Sequence, residues 1–354
     1  MKYTQYINNG LPASDAGRLL LFPGRVIRGE GVIHAAGGFL EGAAVVAGPY
    51  VMRKFVRETL KPEGAFEIVF QGLPSPAEFY RITALLKEKG INKIVCFGGG
   101  KALDTCKFIK KQNSGLELTA VPTSAATCAA FTPVSVMYDK EGAYLNTVDS
   151  EPPDTVIIDY EIMRALPKVF FAAGAADTAA KFFEAAAQAS LQSQRNVFDL
   201  QAESSSRVIF ERLEALIVKA WRNLGNAETD EMTDINIILS GEISCIASES
   251  ATAGIAHAVS HALTHIPAAR KFLHGEHIGV SLLAQEAMRG CAENFGRIER
   301  LLEITELPLK LSDLGLKKED ISFLADKTSD ICSSEKIEVS GGRDLLYNTF
   351  MHLI

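Results

Sequence analysis

Five of the seven histidines of this 354-residue chain fall within residues 254–279, GIAHAVSHALTHIPAARKFLHGEHIG. His257, His261 and His265 recur every four residues, and His274 and His277 are three apart. A spacing of four puts side chains on one face of a helix, so the segment presents a row of imidazoles. Such a row is a solvated stripe, a wet polar network in the core, or part of a metal site. Upstream, AGAADTAAKFFE (173–184) sets Asp177 and Lys181 one turn apart. Alone, that pair reads as an ordinary (i, i+4) ion pair. Beside five histidines, an aspartate suggests a Zn2+ or Fe2+ site. Both ions accept imidazole and carboxylate, and a catalytic site keeps three protein ligands and an open position.

Two other stretches suggest ligand chemistry. CFGGGKALDTCK (96–107) places Gly98, Gly99 and Gly100 where a strand runs into a helix. Glycines let backbone N–H groups approach a phosphate, and a helix N-terminus adds the positive end of its dipole. The same glycines also suit a tight strand–helix turn that binds nothing. AVPTSAATCAAFTPVSVMYDKEG (120–142) reads as a loop of small and hydroxyl residues. Such a loop packs closely against a flat ligand, with Thr123, Thr127 and Thr132 offering hydrogen bonds.

The elements that must position these residues alternate along the first half of the chain. AAVVAG (43–48), FEIVF (66–70), NKIVCFGGG (92–100), ELTAVPTS (117–124) and DTVIIDY (154–160) read as strands. PYVMRKFVRETL, SPAEFYRITALLKEKG and KALDTCKFIKKQ read as helices between them. The second of these has Ser75 as N-cap, Pro76 in the first turn and Gly90 as terminator. Alternation of this kind implies a parallel sheet covered by helices. Beyond about Ile162 the strand signal ends and helical periodicity takes over. The expected organisation is an α/β domain over 1–162 and a helical domain over 163–354, with a ligand cleft between them. Net charge is −7, which argues against nucleic acid or an anionic membrane surface as partner. No apolar run is long enough to span a bilayer, and residues 1–20 lack the apolar stretch of a secretory signal. The six cysteines are scattered without a CxxC pair, as expected of reduced thiols in a cytoplasmic protein.

The motifs occur in one order: GGGKxxDxxK, PTxAxT, GxxDTxAK, a helix with two histidines four apart, and HGE. This ordered set resembles the metal-dependent (iron-containing) alcohol dehydrogenase superfamily, most closely its glycerol dehydrogenase branch. The likeness runs from LLLFPGRVIRGEGVI near the start to LLAQ after the last histidines. It implies a Rossmann-like dinucleotide-binding domain plus an all-helical domain, the dehydroquinate synthase-like architecture. It also implies NAD or NADP, one divalent metal ion in the cleft, and a homo-oligomer. Carried over by motif, Gly98, Gly99, Gly100 and Lys101 stand at the pyrophosphate turn, followed by Asp104. Thr123, Thr127, Thr132, Val134 and Val136 fall on the cofactor-contacting loop, and Asp177, His257 and His274 on the metal ligands. His261 matches a histidine near the reacting centre that is not a ligand, while His265 and His277 match no family role.

Three departures from the family pattern direct the functional expectation. Iron-binding members carry a ligand histidine where this chain has Lys181, so Zn2+ is favoured over Fe2+. Glycerol dehydrogenases carry an aspartate that touches polyol hydroxyls where this chain has Cys128, and a thiol is a poor acceptor for them. NAD-preferring members end the second strand with an aspartate for the adenine ribose. Gly48 stands there instead, with Arg53 and Lys54 nearby, so NADPH is expected to serve at least as well as NADH. Loss of an acid at Cys128 and gain of a cation at Lys181 favour an anionic substrate. The TCAA loop with a lysine after DT also resembles the hydroxycarboxylate dehydrogenases of this superfamily. The expected reaction is hydride transfer on a secondary alcohol/ketone pair, best matched by 2-oxo acids, with His261 in the proton path. Glycerol or another small polyol is the alternative. A dehydroquinate synthase-like cyclase is disfavoured because its first ligand is usually a glutamate. A regulator that has lost its metal is disfavoured by the intact Asp177, His257 and His274.

Overall fold

The computed structural model describes residues 20–35, 37–60, 64–191, 196–247 and 254–354. The N-terminal stretch read for a secretory signal therefore lies outside the described residues, apart from Leu20. The strands of the first half are β1 (Arg25–Gly29), β2 (Ala44–Ala47), β3 (Phe66–Val69), β4 (Lys93–Gly98), β5 (Glu117–Pro122) and β8 (Thr155–Asp159). They form one parallel sheet in the order β1-β8-β5-β4-β2-β3. β2 and β8 are buried at every position, as strands covered on both faces must be. From β2 the chain steps outward to β3, then returns to lay β4 on the other side of β2. Reversal between β2 and β4 opens a crevice at their carboxyl ends, where parallel α/β sheets bind ligands. Gly48 and Gly98–Gly100 stand at those two ends.

Helix α1 (Pro76–Lys89) is bounded as its sequence specifies. Ser75 Oγ accepts from Glu78 N, Pro76 occupies the first turn, and Gly90 ends the helix at φ 64°. The chain PYVMRKFVRETL is helical but not α throughout: after Pro49–Val51 it widens to a π-helix over Met52–Leu60. Thr59 Oγ1 reaches back five residues to the carbonyl of Lys54 at 3.2 Å, in keeping with the wider turn.

Two features depart from the sequence reading. β1 carries no strand signal in the sequence. It is an edge strand with a mostly exposed pattern and two arginines, so it carries no apolar run. Residues 120–142 are not loop throughout, because β6 (Val134–Tyr138) pairs antiparallel with β7 (Tyr144–Asp149) as a separate hairpin. Val134 and Val136 thus lie on a strand. The connecting turn is held by Asp139, whose Oδ1 accepts from the N–H groups of Glu141 and Ala143.

All described elements after β8 are helical. They include α3 (Lys168–Leu191), α4 (Val197–Ala220), α5 (Ile255–Leu263), α6 (His274–Met288) and α7 (Asp320–Ser334), of which α3, α5 and α6 carry the candidate metal ligands. Asp234–Leu239 forms a second π-helical stretch, while 248–253 lies outside the described residues. All six cysteines are free thiols. Among the described residues, no helix is long and apolar enough to cross a membrane.

Candidate metal and dinucleotide site

Asp177 on α3, His257 on α5 and His274 at the first position of α6 converge. One ligand atom from each lies within 4.8 Å of the others, the only such group among the described residues. Glycines allow this approach. A Cβ at Gly275 would overlap the carbonyl of Ala173, so α6 begins in direct contact with α3. A Cβ at Gly254 would overlap the Glu184 side chain, which lies against the start of α5. These two contacts set the histidines opposite the carboxylate.

Each imidazole is held by its Nδ1. His257 Nδ1 lies 2.6 Å from Glu184 Oε2, and Glu184 Oε1 accepts from the His257 N–H at 3.0 Å. His274 Nδ1 lies 3.1 Å from Ser260 Oγ. Both Nε2 atoms therefore face Asp177 Oδ1, at 3.7 and 3.5 Å. These separations are long for hydrogen bonds. They match two ligand atoms sharing one tetrahedral ion, which bonds of about 2.0–2.2 Å would set about 3.3–3.6 Å apart. The residues thus fit a divalent metal. Outer partners that orient the imidazoles are the usual second requirement, and Glu184 and Ser260 supply them. Burial raises the Asp177 pKa, but the two imidazoles and Lys181 outweigh it and hold the carboxyl well below the ordinary range.

Lys181 does not form the ion pair that its spacing from Asp177 suggested. Asp177 turns to the imidazoles. Among the described residues, the Lys181 ammonium makes no hydrogen bond or ion pair. Burial works against its charge, while Cys128, Asp177 and Glu184 keep its pKa raised. Cys128, on the segment after β5, is itself buried, and that burial pushes its thiol up and keeps it neutral. The cleft therefore pairs a neutral thiol with an uncommitted cation.

His261, one turn beyond His257, lies with its ring 6.3 Å from that of His257 and 6.4 Å from that of His274. Burial pushes its pKa down to about 4, against the pull of Glu335. His277 belongs to the scaffold: it is buried, and its Nε2 lies 2.9 Å from the Ala269 carbonyl, tying α6 to the preceding turn.

At the carboxyl end of β4, Gly99 caps helix α2 (Gly100–Gln112) without any side-chain hydrogen bond. Ala102 N–H donates to the Gly99 carbonyl, and among the described residues the N–H groups of Gly100 and Lys101 have no partner, which suits a ligand. A Cβ at Gly100 would press on Thr127 Oγ1 at 3.1 Å. Lys101 Nζ sits over the Tyr138 ring at 5.2 Å. Asp104 and Thr132 are placed differently from expectation. Asp104 is 6 % exposed, pairs with Lys107 at 2.9 Å, and accepts from Val136 N at 3.1 Å. Lys107 also donates to Thr132 O, Thr132 Oγ1 and the Val134 carbonyl. Both side chains are thus committed to pinning the hairpin onto α2. Of the two cations near Gly48, Lys54 pairs with Glu58 at 3.1 Å, and Arg53 is exposed.

A nucleotide-type crevice beside an Asp–His–His cluster suits an enzyme that uses a divalent metal and a dinucleotide, and comparison with known proteins names the class. Residues 23–160 match the iron-containing alcohol dehydrogenase family. The chain is 31% identical over 247 residues to an uncharacterized oxidoreductase of Synechocystis, spanning 68% of this chain and 63% of that one. It is 29% identical to hydroxycarboxylate dehydrogenase A of Escherichia coli, over 71% of this chain and 70% of the relative. It is 28% identical to a glycerol dehydrogenase of Thermotoga maritima, over 88% and 89%. A probable glycerol dehydrogenase from Sinorhizobium meliloti shares the fold, with a TM-score of 0.81 at 21% identity across 95% of this chain and 98% of that one. The protein belongs to the iron-containing alcohol dehydrogenase family, oxidoreductases that act on CH–OH groups.

Proposed function

We propose that the protein interconverts small 2-oxo acids and 2-hydroxy acids with NADPH or NADH, using a zinc ion held by Asp177, His257 and His274. The uncommitted Lys181 ammonium carries the substrate reading. A carboxylate entering a partly dry cleft needs a positive partner, or its desolvation makes binding costly. Lys181 stands one turn from a metal-ligand candidate, and a substrate carboxylate would offset the repulsion between the ammonium and the ion. The hydroxycarboxylate dehydrogenase relative supports the same class. Small polyols remain the second reading, favoured by the nearly full-length match to a glycerol dehydrogenase. The Cys128 thiol argues against them, since it offers hydroxyl groups little to bond.

Bound at this site, a divalent ion supplies Lewis acidity toward a carbonyl or alkoxide oxygen. Glu184 and Ser260 hold the two imidazoles in the orientation that leaves both Nε2 atoms free. The free N–H groups after Gly99 bind the dinucleotide pyrophosphate, with Gly98, Gly100 and Lys101 at the same turn and Thr123 and Thr127 on the neighbouring loop. Lys181 fixes the carboxylate end of the substrate, and His261 exchanges the hydroxyl proton. Gly48 leaves no carboxylate to repel a 2′-phosphate, and Arg53 can meet one. The kcat/KM for NADPH should therefore equal or exceed that for NADH, and a tenfold preference for NADH would defeat this cofactor assignment.

Steady-state assays with a 2-oxo acid, a neutral ketone of similar size, and glycerol test the substrate. Lys181→Ala should raise KM for the 2-oxo acid at least tenfold more than for the ketone, at unchanged metal content. Equal effects on the two would remove Lys181 from substrate recognition.

A further inference from the structure

We propose that Glu335 is a positioning residue for His261, and that Tyr144 clamps the two together so that the reaction's proton passes between the cleft and solvent. The inference rests on the redox reading above.

Three elements distant in the chain meet here. Tyr144 begins β7, His261 lies on α5, and Glu335 follows the last residue of α7. The Tyr144 and His261 rings stack with centroids 3.8 Å apart and planes 7° from parallel. The Tyr144 hydroxyl donates to Glu335 Oε1 at 2.6 Å. That same oxygen lies 3.6 Å from His261 Nδ1. Nδ1 is fully buried and has no hydrogen-bond partner. An orphaned buried imidazole nitrogen facing a carboxylate is a hydrogen bond lacking only a small closure.

The arrangement has a chemical use. An imidazole exchanges a proton at one nitrogen most effectively when a carboxylate fixes the proton on the other. Glu335 faces Nδ1, which assigns Nε2 to the substrate side. In alcohol oxidation, hydride leaves to the dinucleotide and the hydroxyl proton passes to Nε2. The Glu335 carboxylate stabilises the resulting imidazolium without taking its Nδ1 proton, and the imidazolium then releases one proton to water. Reduction runs the same transfers in reverse, so one proton crosses per hydride. The Glu335 side chain is 27 % exposed and so reaches solvent. The other titratable groups facing this unit are His257 and His274, across from His261, His265, whose imidazole faces the Tyr144 backbone, and the Cys332 thiol on α7, which burial and Glu335 push up to about 12. The Thr147 hydroxyl lies 3.3 Å from that of Tyr144, and the Thr264 hydroxyl accepts from the Tyr144 N–H at 2.8 Å and donates to the His261 carbonyl at 2.6 Å.

The test uses the full-length, metal-loaded enzyme with Glu335→Gln, Glu335→Asp and Tyr144→Phe. Glu335→Gln should lower kcat about 10–100-fold, the usual cost of losing an orienting partner. KM, metal content and Tm should stay near wild type. Glu335 raises the His261 pKa, so its removal should also move the acid limb of the kcat profile to lower pH. Glu335→Asp should recover part of the rate, and Tyr144→Phe, which keeps the stacked ring, should lose less than Glu335→Gln. Independently of turnover, 15N NMR of labelled histidine, with His261 assigned by a His261→Asn variant, should find the proton on Nδ1 in the parent. Glu335→Gln should shift that population toward Nε2. An unchanged kcat and pH profile, or an unchanged tautomer, overturns the proposal. Failure of the parent to oxidise or reduce any substrate with NAD(P)(H) would count against the redox reading instead, and the NMR arm would still decide the Glu335 contact.

Discussion

Two aspartate–lysine pairs at helical spacing stand on either side of the cleft, and they behave oppositely. Asp104 and Lys107 on α2 close on each other at 2.9 Å, and backbone groups of the hairpin satisfy what remains of both. Asp177 and Lys181 on α3 do not close: the carboxylate turns to two imidazoles and the ammonium to none of the described acceptors. Both pairs are largely removed from water. What separates them is whether the protein itself completes the set of partners. A completed set is scaffold, and an incomplete one in a cleft is a place for something else.

The largest effect that sharpens this contrast should come from Asp177→Asn. It removes a metal-ligand candidate, so metal affinity and kcat should fall by more than the ~10–100-fold expected when an orienting partner is lost. Metal content by elemental analysis and single-turnover rates check this. A variant with parental metal content and rate would end the assignment of Asp177. Next comes Lys107→Met, which leaves the Asp104 carboxylate buried without its partner and should cost about 3–5 kcal/mol in denaturant unfolding. The double variant Asp104→Leu with Lys107→Met should regain much of that loss, because two apolar groups can replace a buried pair. A double variant no better than the single would mean that the pair's worth lies in something other than mutual compensation. Smallest is Lys181→Met, which should change unfolding stability by less than about 1 kcal/mol, since among the described residues Lys181 makes no hydrogen bond to break. A loss as large as that of Lys107→Met would show that Lys181 is scaffold too, and would dissolve the comparison.

The same contrast shows which parts of the molecule were legible in the sequence. The central strands β2, β4, β5 and β8 announce themselves as apolar runs, and α1 carries its own caps. Asp177, His257 and His274 were readable because their motifs recur in a fixed order, and the structure brings the three together. Asp104 belongs to one of those motifs as well, yet its side chain is spent on the hairpin. A motif reports position, whereas burial and partner count decide what a side chain is free to do. β1 escaped notice as an exposed edge strand. The hairpin did leave a signal, since VSVMY alternates and DKEG is a turn, but the surrounding small residues masked it. Glu184 lay within reach of sequence reasoning, two turns along the same helix from Asp177. Tyr144 and Glu335 did not. They are separated from each other by 191 positions and meet His261 only through the fold.

The contact of Gly275 with the Ala173 carbonyl has one more consequence. Asp177, Glu184, His257, Ser260 and His274 all ride on α3, α5 and α6, which lie after β8, while the phosphate turn and Tyr144 belong to the sheet half. The metal seat is thus complete within one half of the molecule. If the halves part to let a nucleotide go, the stacked Tyr144–His261 rings separate, while Glu184 and Ser260 stay with the imidazoles they orient. Release of a dinucleotide would then leave the hydrogen-bond partners of the metal seat in place.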